Sequence, residues 1–247
     1  MYDNTGLFSG KQDDYSRFRP SYPDAAIDFL RSRSAGESVL DVGAGTGIFT
    51  KALLRCFKNV SAVEPNKDMR EKFIQQLPGI YCSSGSGEAT GMPENSVDLI
   101  TVAQAFHWLD AELFKQEAIR ILRPEGKTAI IWNTSQKDDF TAARDRICQK
   151  YSPRFASGHA GKRSVSEGDA FLRYSYFRKV EVISFANPFT MDLPAFEGNM
   201  RSRSYALLPT ECGYEKFMAE LRSLFASHAE NGFVTEPQET QIYLGSF

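Results

Sequence analysis

Cysteine is scarce in this chain and badly placed for metal work. Cys56, Cys82, Cys148 and Cys212 are scattered, with no Cys-x-x-Cys pair. That argues against a zinc site or a disulfide framework and leaves the reduced thiols expected of a cytosolic protein. Long hydrophobic runs are missing too: no stretch reaches the roughly 18 consecutive apolar residues of a membrane span. Neither sign of charge dominates. The 29 basic and 31 acidic residues leave a net charge of −2, and no segment gathers Lys and Arg into a stripe, so a nucleic-acid backbone is not an expected partner. The opening Met1-Tyr2-Asp3-Asn4-Thr5-Gly6 lacks the basic start and apolar run of a secretory signal. No internal repeat or low-complexity tract breaks the chain. The expectation is a soluble, cytoplasmic protein, monomeric or homodimeric, with no metal and no membrane partner.

What is present is organised around Val39-Leu40-Asp41-Val42-Gly43-Ala44-Gly45-Thr46-Gly47. Ser38 to Val42 reads as a short buried strand and Ile48 to Phe57 as a helix, which puts the three glycines on the turn between them. A glycine turn lets a ligand approach bare backbone. Dinucleotide fingerprints run Gly-x-Gly-x-x-Gly, whereas the third position here is Ile48. Asp41, at the strand end, repels a pyrophosphate and welcomes an ammonium group. The pattern Asp-x-Gly-x-Gly-x-Gly resembles the first motif of class I S-adenosylmethionine-dependent methyltransferases, in which the turn cradles the methionine part of the cofactor. The resemblance implies cofactor contacts from Asp41, Gly43, Ala44 and Gly45.

Downstream, Val60 to Val63 is a strand that delivers Glu64 about 20 residues beyond the turn, where doubly wound folds place a ribose-binding acid. Glu64 can equally cap the next helix, a task open to Asn66. Pro65 and Met69 supply an apolar wall for the adenine ring, or Met69 is core. A third strand, Ile80 to Ser83, leads into Gly85-Ser86-Gly87-Glu88-Ala89, similar to a family loop that touches the adenine edge through Ser86, Gly87 and Glu88. Gly87 stands where alanine is usual, a departure expected to loosen the loop.

Val97 to Val102 is the fourth strand. Ligands of a parallel sheet sit outside the carboxyl ends of its strands, so Gln104, Phe106, His107 and Trp108 fall near the reacting group. Ala-Gln-Ala-Phe-His-Trp, like Tyr15-x-x-x-Arg19-Pro20-x-Tyr22-Pro23, resembles the type 11 methyltransferase subfamily that includes the trans-aconitate methyltransferases. By that resemblance the N-terminal segment folds over the cofactor, with Tyr15 and Arg19 as its contacts. Phe106 and Trp108 either line the substrate pocket or pack. His107 is the one candidate general base, or a structural histidine.

A helix over Asp110 to Leu122 and a fifth strand over Lys127 to Asn133 complete the alternation. Beyond it, helices at Phe140 to Tyr151 and near Asp169 to Tyr174, with a loop holding Pro153, Gly158, Gly161 and Gly168, read as a cap. Lys179 to Phe185 is a sixth strand. Arg201, Arg203 and Tyr205 either anchor an acidic substrate or are solvated surface. Thr210 to Ala229 is a long helix and Thr240 to Gly245 a last strand, placed like the antiparallel strand of class I methyltransferases.

The expected fold is one α/β domain: a doubly wound, mostly parallel seven-stranded Rossmann-like methyltransferase sheet with a helical cap. Residues 1–23 form a lid arm, 24–135 the cofactor-binding core, 136–210 the cap with the sixth strand, and 211–247 the C-terminal helix and last strand. The implied activity is methyl transfer from S-adenosylmethionine to a small-molecule acceptor, with a carboxylate oxygen as the first reading. The alternatives are a non-catalytic protein binding S-adenosylmethionine or S-adenosylhomocysteine, and an NAD-dependent oxidoreductase.

Overall fold

Val39, Leu40, Val42, Leu99, Ile100, Val102, Ala129, Ile130 and Ile131 are all at most 1% exposed. Strands so apolar on both faces demand cover on both faces, the hallmark of a parallel sheet between helices. The structure, a computed structural model, describes residues 10–156 and 165–247; Phe8, Gly158 and Gly161 lie outside the described residues. In chain order the strands are β1 (Ser38–Val42), β2 (Asn59–Val63), β3 (Cys82–Ser83), β4 (Val97–Ala103), β5 (Leu122–Ser135), β6 (Lys179–Ala186), β7 (Phe189–Met191), β8 (Val234–Glu236) and β9 (Gln238–Ser246). Seven of them form one sheet in the order β3-β2-β1-β4-β5-β9-β6, and β7 and β8 form a separate ribbon. The first five pair in parallel, while β9 runs antiparallel to both β5 and β6. The single antiparallel strand is thus the C-terminal one, as expected. β5 starts earlier than expected, at Leu122, because Leu122 already pairs with Val97 before a register shift absorbs the Arg123–Gly126 break.

The helices are α1 (Gln12–Phe18), α2 (Asp24–Arg33), α3 (Ile48–Leu53), α4 (Lys67–Gln76), α5 (Ala111–Ile121), α6 (Asp139–Tyr151), α7 (Pro153–Ala156), α8 (Val165–Phe171), α9 (Leu193–Arg201) and α10 (Tyr214–His228). One sheet face packs Ile27, Leu30, Phe49 and Leu53. The other packs Phe114, Ala118 and Ile121. A third cluster joins Phe140 of α6, Phe196 and Met200 of α9, and Phe217, Leu221 and Phe225 of α10. The C-terminal helix therefore packs with the cap.

The four-residue α7 falls in the stretch expected as a loop, and two longer helices, α1 and α9, were not foreseen either. α1 buries no residue, so it has no apolar stripe to read; Asp13 and Asp14 in its first turn and Arg17 in its last suit the helix dipole. α9 is started by Asp192, whose side chain accepts from Ala195 N, with Pro194 in the first turn. The two helices pack together. Asn199 donates to the Phe18 carbonyl at 3.0 Å, and a Cβ on Gly198 would lie 2.0 Å from Phe18 Cδ2.

That approach leaves no room for a methyl group. Gly198→Ala is expected to cost about 1–3 kcal/mol and to free the arm for proteolysis before the sheet. Urea unfolding and limited digestion would read both, and an unchanged midpoint with an intact arm would contradict the packing described.

Candidate active site

β1 pairs with β2 on one side and β4 on the other, so the connections diverge where these two strands end. Open α/β sheets bind ligands in that crevice. The glycine turn lies there. Gly43 takes φ +68°, and a Cβ on it would stand 2.5 Å from that of Ala105. The amides of Gly43 and Ala44 both donate to the Val63 carbonyl, at 2.8 and 3.1 Å. Glu64 Oε2 accepts from Gly45 N at 2.7 Å and Oε1 from Asn66 N at 2.8 Å. Burial raises the Glu64 carboxyl above its usual range, against the pull of those two N–H groups.

Beside the turn is a pocket lined by Tyr15, Arg19, Pro20 and Tyr22 of the arm, Asp41, Gly43 and Ala44, Ile48 and Phe49 of α3, Ala103 and Gln104, and Asn133. Asp41 is fully buried, accepting from Thr50 Oγ1 at 2.6 Å and Thr101 Oγ1 at 2.9 Å. Burial pushes its carboxyl up to about 7; the two hydroxyls oppose the rise and Glu64 adds to it. Arg19 donates through Nε to Ser202 Oγ at 2.9 Å and through Nη2 to the Ser202 carbonyl at 3.2 Å, and lies over the Tyr15 ring. Its hydrogen bonds go to uncharged groups, so its positive charge meets the pocket. Tyr22 stands edge-on to Phe49 at 4.6 Å, and burial keeps its phenol protonated, well above its ordinary value. Gln104 holds a left-handed φ of +59°; its Nε2 donates to the Asn133 carbonyl at 3.2 Å. A non-glycine residue kept there is held by its surroundings.

Of the residues expected at the site, Tyr15, Arg19, Asp41, Gly43, Ala44 and Gln104 therefore meet at one pocket. Gly45 adjoins it, its Cβ position 3.8 Å from the Tyr15 ring. Glu64, Pro65, Met69, Ser86, Gly87 and Glu88 lie along the β2 and β3 side, outside the pocket wall. Asn66 does the capping of α4, accepting from Met69 N. Met69 is 3% exposed and packs inward, whereas Pro65 is exposed. Ser86 and Ala89 exchange backbone hydrogen bonds at 3.2 Å, and Glu88 accepts from Asp110 N at 2.8 Å. Gly87 does not loosen this loop. A Cβ there would lie 2.9 Å from Leu109 Cδ2 and 3.0 Å from Val42 Cγ1, so glycine lets the loop close onto β1.

The remaining expected residues do not line the pocket. Phe106 is 5% exposed, edge-on to Phe114, Trp132 and Tyr176 in the core. His107 and Trp108, their ring centroids 4.6 Å apart and tilted by 49°, sit on the turn that follows. Arg201 pairs with Asp14 at 2.7 Å, Arg203 bonds Asn199 Oδ1, and Tyr205 packs edge-on to Phe155. These three fasten the arm and cap. The lining residues not singled out beforehand are Pro20, Tyr22, Ile48, Phe49, Ala103 and Asn133. Pro20 and Tyr22 belong to the quoted arm motif, and Asn133 is a polar residue at the end of a buried strand, so both signals were present.

The Methyltransferase domain family matches residues 40–130. An uncharacterized methyltransferase of Mycobacterium tuberculosis is 42% identical over 120 residues, 49% of this chain and 49% of that protein. A methyltransferase-like protein of Schizosaccharomyces pombe is 31% identical over 174 residues, 66% of this chain and 67% of that protein. The chain thus spans about half the length of the mycobacterial relative. Among solved structures, one from Anaeromyxobacter dehalogenans, proposed as a type II methyltransferase, has a TM-score of 0.70 at 24% identity, covering 93% of this chain and 98% of its own. One from Anabaena variabilis, proposed as a methyltransferase of antibiotic biosynthesis, reaches 0.61 at 19% identity, covering 92% and 98%. At these identities the structures establish a shared fold.

Asp41 makes stability depend on pH. Its folded value near 7 lies above the roughly 3.9 of an unfolded chain, so the folded state holds the proton more tightly. The stability this contributes is complete below the unfolded value and is lost as pH rises through about 7. Asp41→Asn, which cannot ionise, is expected to exceed the parent by on the order of 2–4 kcal/mol at pH 8, with the gap closing toward pH 4. Urea midpoints across that range test it; a gap independent of pH would refute it.

Proposed function

The chain belongs to the methyltransferase domain family, and from that premise we propose that it transfers a methyl group from S-adenosylmethionine to a small-molecule acceptor, a carboxylate oxygen first among the candidates. One observation carries the reading: a carboxylate, Asp41, and a guanidinium with no acid partner among the described residues, Arg19, line the same pocket. That pair complements the ammonium and carboxylate of an amino-acid moiety such as the cofactor's methionine part. The turn also argues against a dinucleotide. A pyrophosphate needs free N–H groups, and those of Gly43, Ala44 and Gly45 are taken by the Val63 carbonyl and Glu64.

Bound S-adenosylmethionine supplies a sulfonium-activated methyl carbon. The protein's share of the work is to bind, align and keep the pocket dry. Asp41 and Arg19 hold the two ends of the amino-acid moiety. Glu64, one lone pair per oxygen still unused by the protein, accepts from a ribose diol. Tyr15, Tyr22 and Phe49 wall off water, which strengthens each charge–charge contact inside. Displacement at a sulfonium gains chiefly from alignment. A carboxylate acceptor needs no base.

The test is to incubate the protein with S-adenosylmethionine and a panel of carboxylic acids and amines while following S-adenosylhomocysteine. Product is expected with one or more carboxylates, and His107→Ala is expected to slow turnover less than about tenfold. Tight binding of S-adenosylhomocysteine without turnover on any acceptor would favour a non-catalytic binding role instead. Binding of NADH with none of S-adenosylmethionine would overturn the proposal.

A further inference from the structure

The arm crosses from cap to sheet, and its two ends are fastened by different means. At α1 the fastenings belong to the cap: Arg201 on Asp14, Asn199 on the Phe18 carbonyl and Lys11 on the Arg203 carbonyl. At the other end a single backbone oxygen, that of Ser21, is gripped by two carboxamides. Asn133 Nδ2 donates to it at 3.2 Å and Asn187 Nδ2 at 2.9 Å. Asn187 Nδ2 also donates to Asn133 Oδ1 at 3.2 Å, and Thr240 Oγ1 donates to that same oxygen at 2.6 Å. Both lone pairs of the Ser21 oxygen, both hydrogens of the Asn187 amide and both lone pairs of Asn133 Oδ1 are thereby used, the full capacity of those groups. Asn187 is itself fixed, its backbone N–H donating to the Gln238 carbonyl at 2.8 Å.

Ser21 sits between Pro20 and Tyr22, both of which line the pocket, as do Arg19 and Asn133. Asn187 does not, and it stands far away in sequence, on the turn between β6 and β7. We propose that Asn187 is a positioning residue for the active site: with Asn133 it clamps the Ser21 carbonyl and so holds Arg19 and Tyr22 over the bound cofactor. The clamp deepens the methyltransferase reading, and only its effect on ligand retention rests on that reading.

Hydrogen exchange of the arm tests the clamp without any ligand, and stopped-flow release of S-adenosylhomocysteine tests its consequence. In Asn187→Ala, exchange at residues 15–23 is expected to rise about tenfold, the loss of about 1.4 kcal/mol of local closure, while sheet amides and the melting temperature stay put. The off-rate of S-adenosylhomocysteine is expected to rise about three- to tenfold. Asn133→Asp, which keeps the acceptor for Thr240 but loses the donor to Ser21, should behave likewise, and the double variant should be non-additive because both donors serve one oxygen. Arm exchange unchanged in Asn187→Ala, or rising only in step with the sheet, would overturn the clamp. A faster arm with an unchanged off-rate would overturn its role at the site. No binding of S-adenosylhomocysteine to the parent protein would sink the methyltransferase reading, and with it the cofactor-holding role, leaving the exchange result to decide the clamp alone.

Discussion

Glu64 ties two loops together with one carboxylate. Its oxygens take the N–H of Gly45, from the turn after β1, and of Asn66, from the start of α4. A buried carboxylate is costly unless hydrogen-bonded, and here the cost persists in a raised pKa even with two backbone donors. The return is geometric. With the Val63 carbonyl, which receives two more turn amides, the tie fixes the turn against β2 and so fixes the wall formed by Gly43 and Ala44. Asp41, two residues before that wall, inherits its position from the same anchorage. Using up the amides also shapes the chemistry of the crevice: the charged side chains that line it are those of Asp41 and Arg19.

Around this anchorage the charged side chains divide by partner. Among the described residues Arg19 bonds Ser202 and lies over a tyrosine ring, and it lines the pocket. Arg201 has Asp14 at a partly exposed pair worth no more than about 1 kcal/mol. Arg144 and Glu236, 5% and 1% exposed, pair at 2.7 Å within the cap, and Ser135 of β5 donates to the same carboxylate. Burial alone would raise Glu236, yet Arg203 and Arg144 hold it down near 2. Removing one partner of such a pair strands the other and typically costs 3–5 kcal/mol. The network thus joins the cap firmly to the end of β5, the strand that presents Asn133 to the pocket.

What could be read beforehand follows from the range of the interactions. The sheet was legible because buried strands announce themselves locally, and the turn because its glycines are adjacent. Tyr15, Arg19, Asp41 and Gln104, which line one pocket, could be singled out because each sits at a strand end or within a short motif. Arg201 and Arg203 are spent within the protein: Arg201 pairs with Asp14, 187 positions away and beyond any local pattern, and Arg203 bonds Asn199 four positions before it. Phe106 follows a strand that does reach the crevice, and only the short turn at Phe106–Trp108 directs its ring back into the core. α1 escaped because it buries nothing by itself; its order comes from α9, a tertiary partner. Gly87 looked like slack and is a close contact, a distinction that needs the coordinates of Leu109 and Val42.

Five segments wall the pocket; three of them, the β1 turn and the ends of β4 and β5, are held by sheet ladders, and the start of α3 follows directly from the turn. The arm is held by side-chain fasteners, each worth about 0.5–1.5 kcal/mol. Local opening takes the weakest route, so of these walls the arm is the one whose opening costs least, while Asp41, fixed by the hydroxyls of Thr50 and Thr101, stays with the sheet.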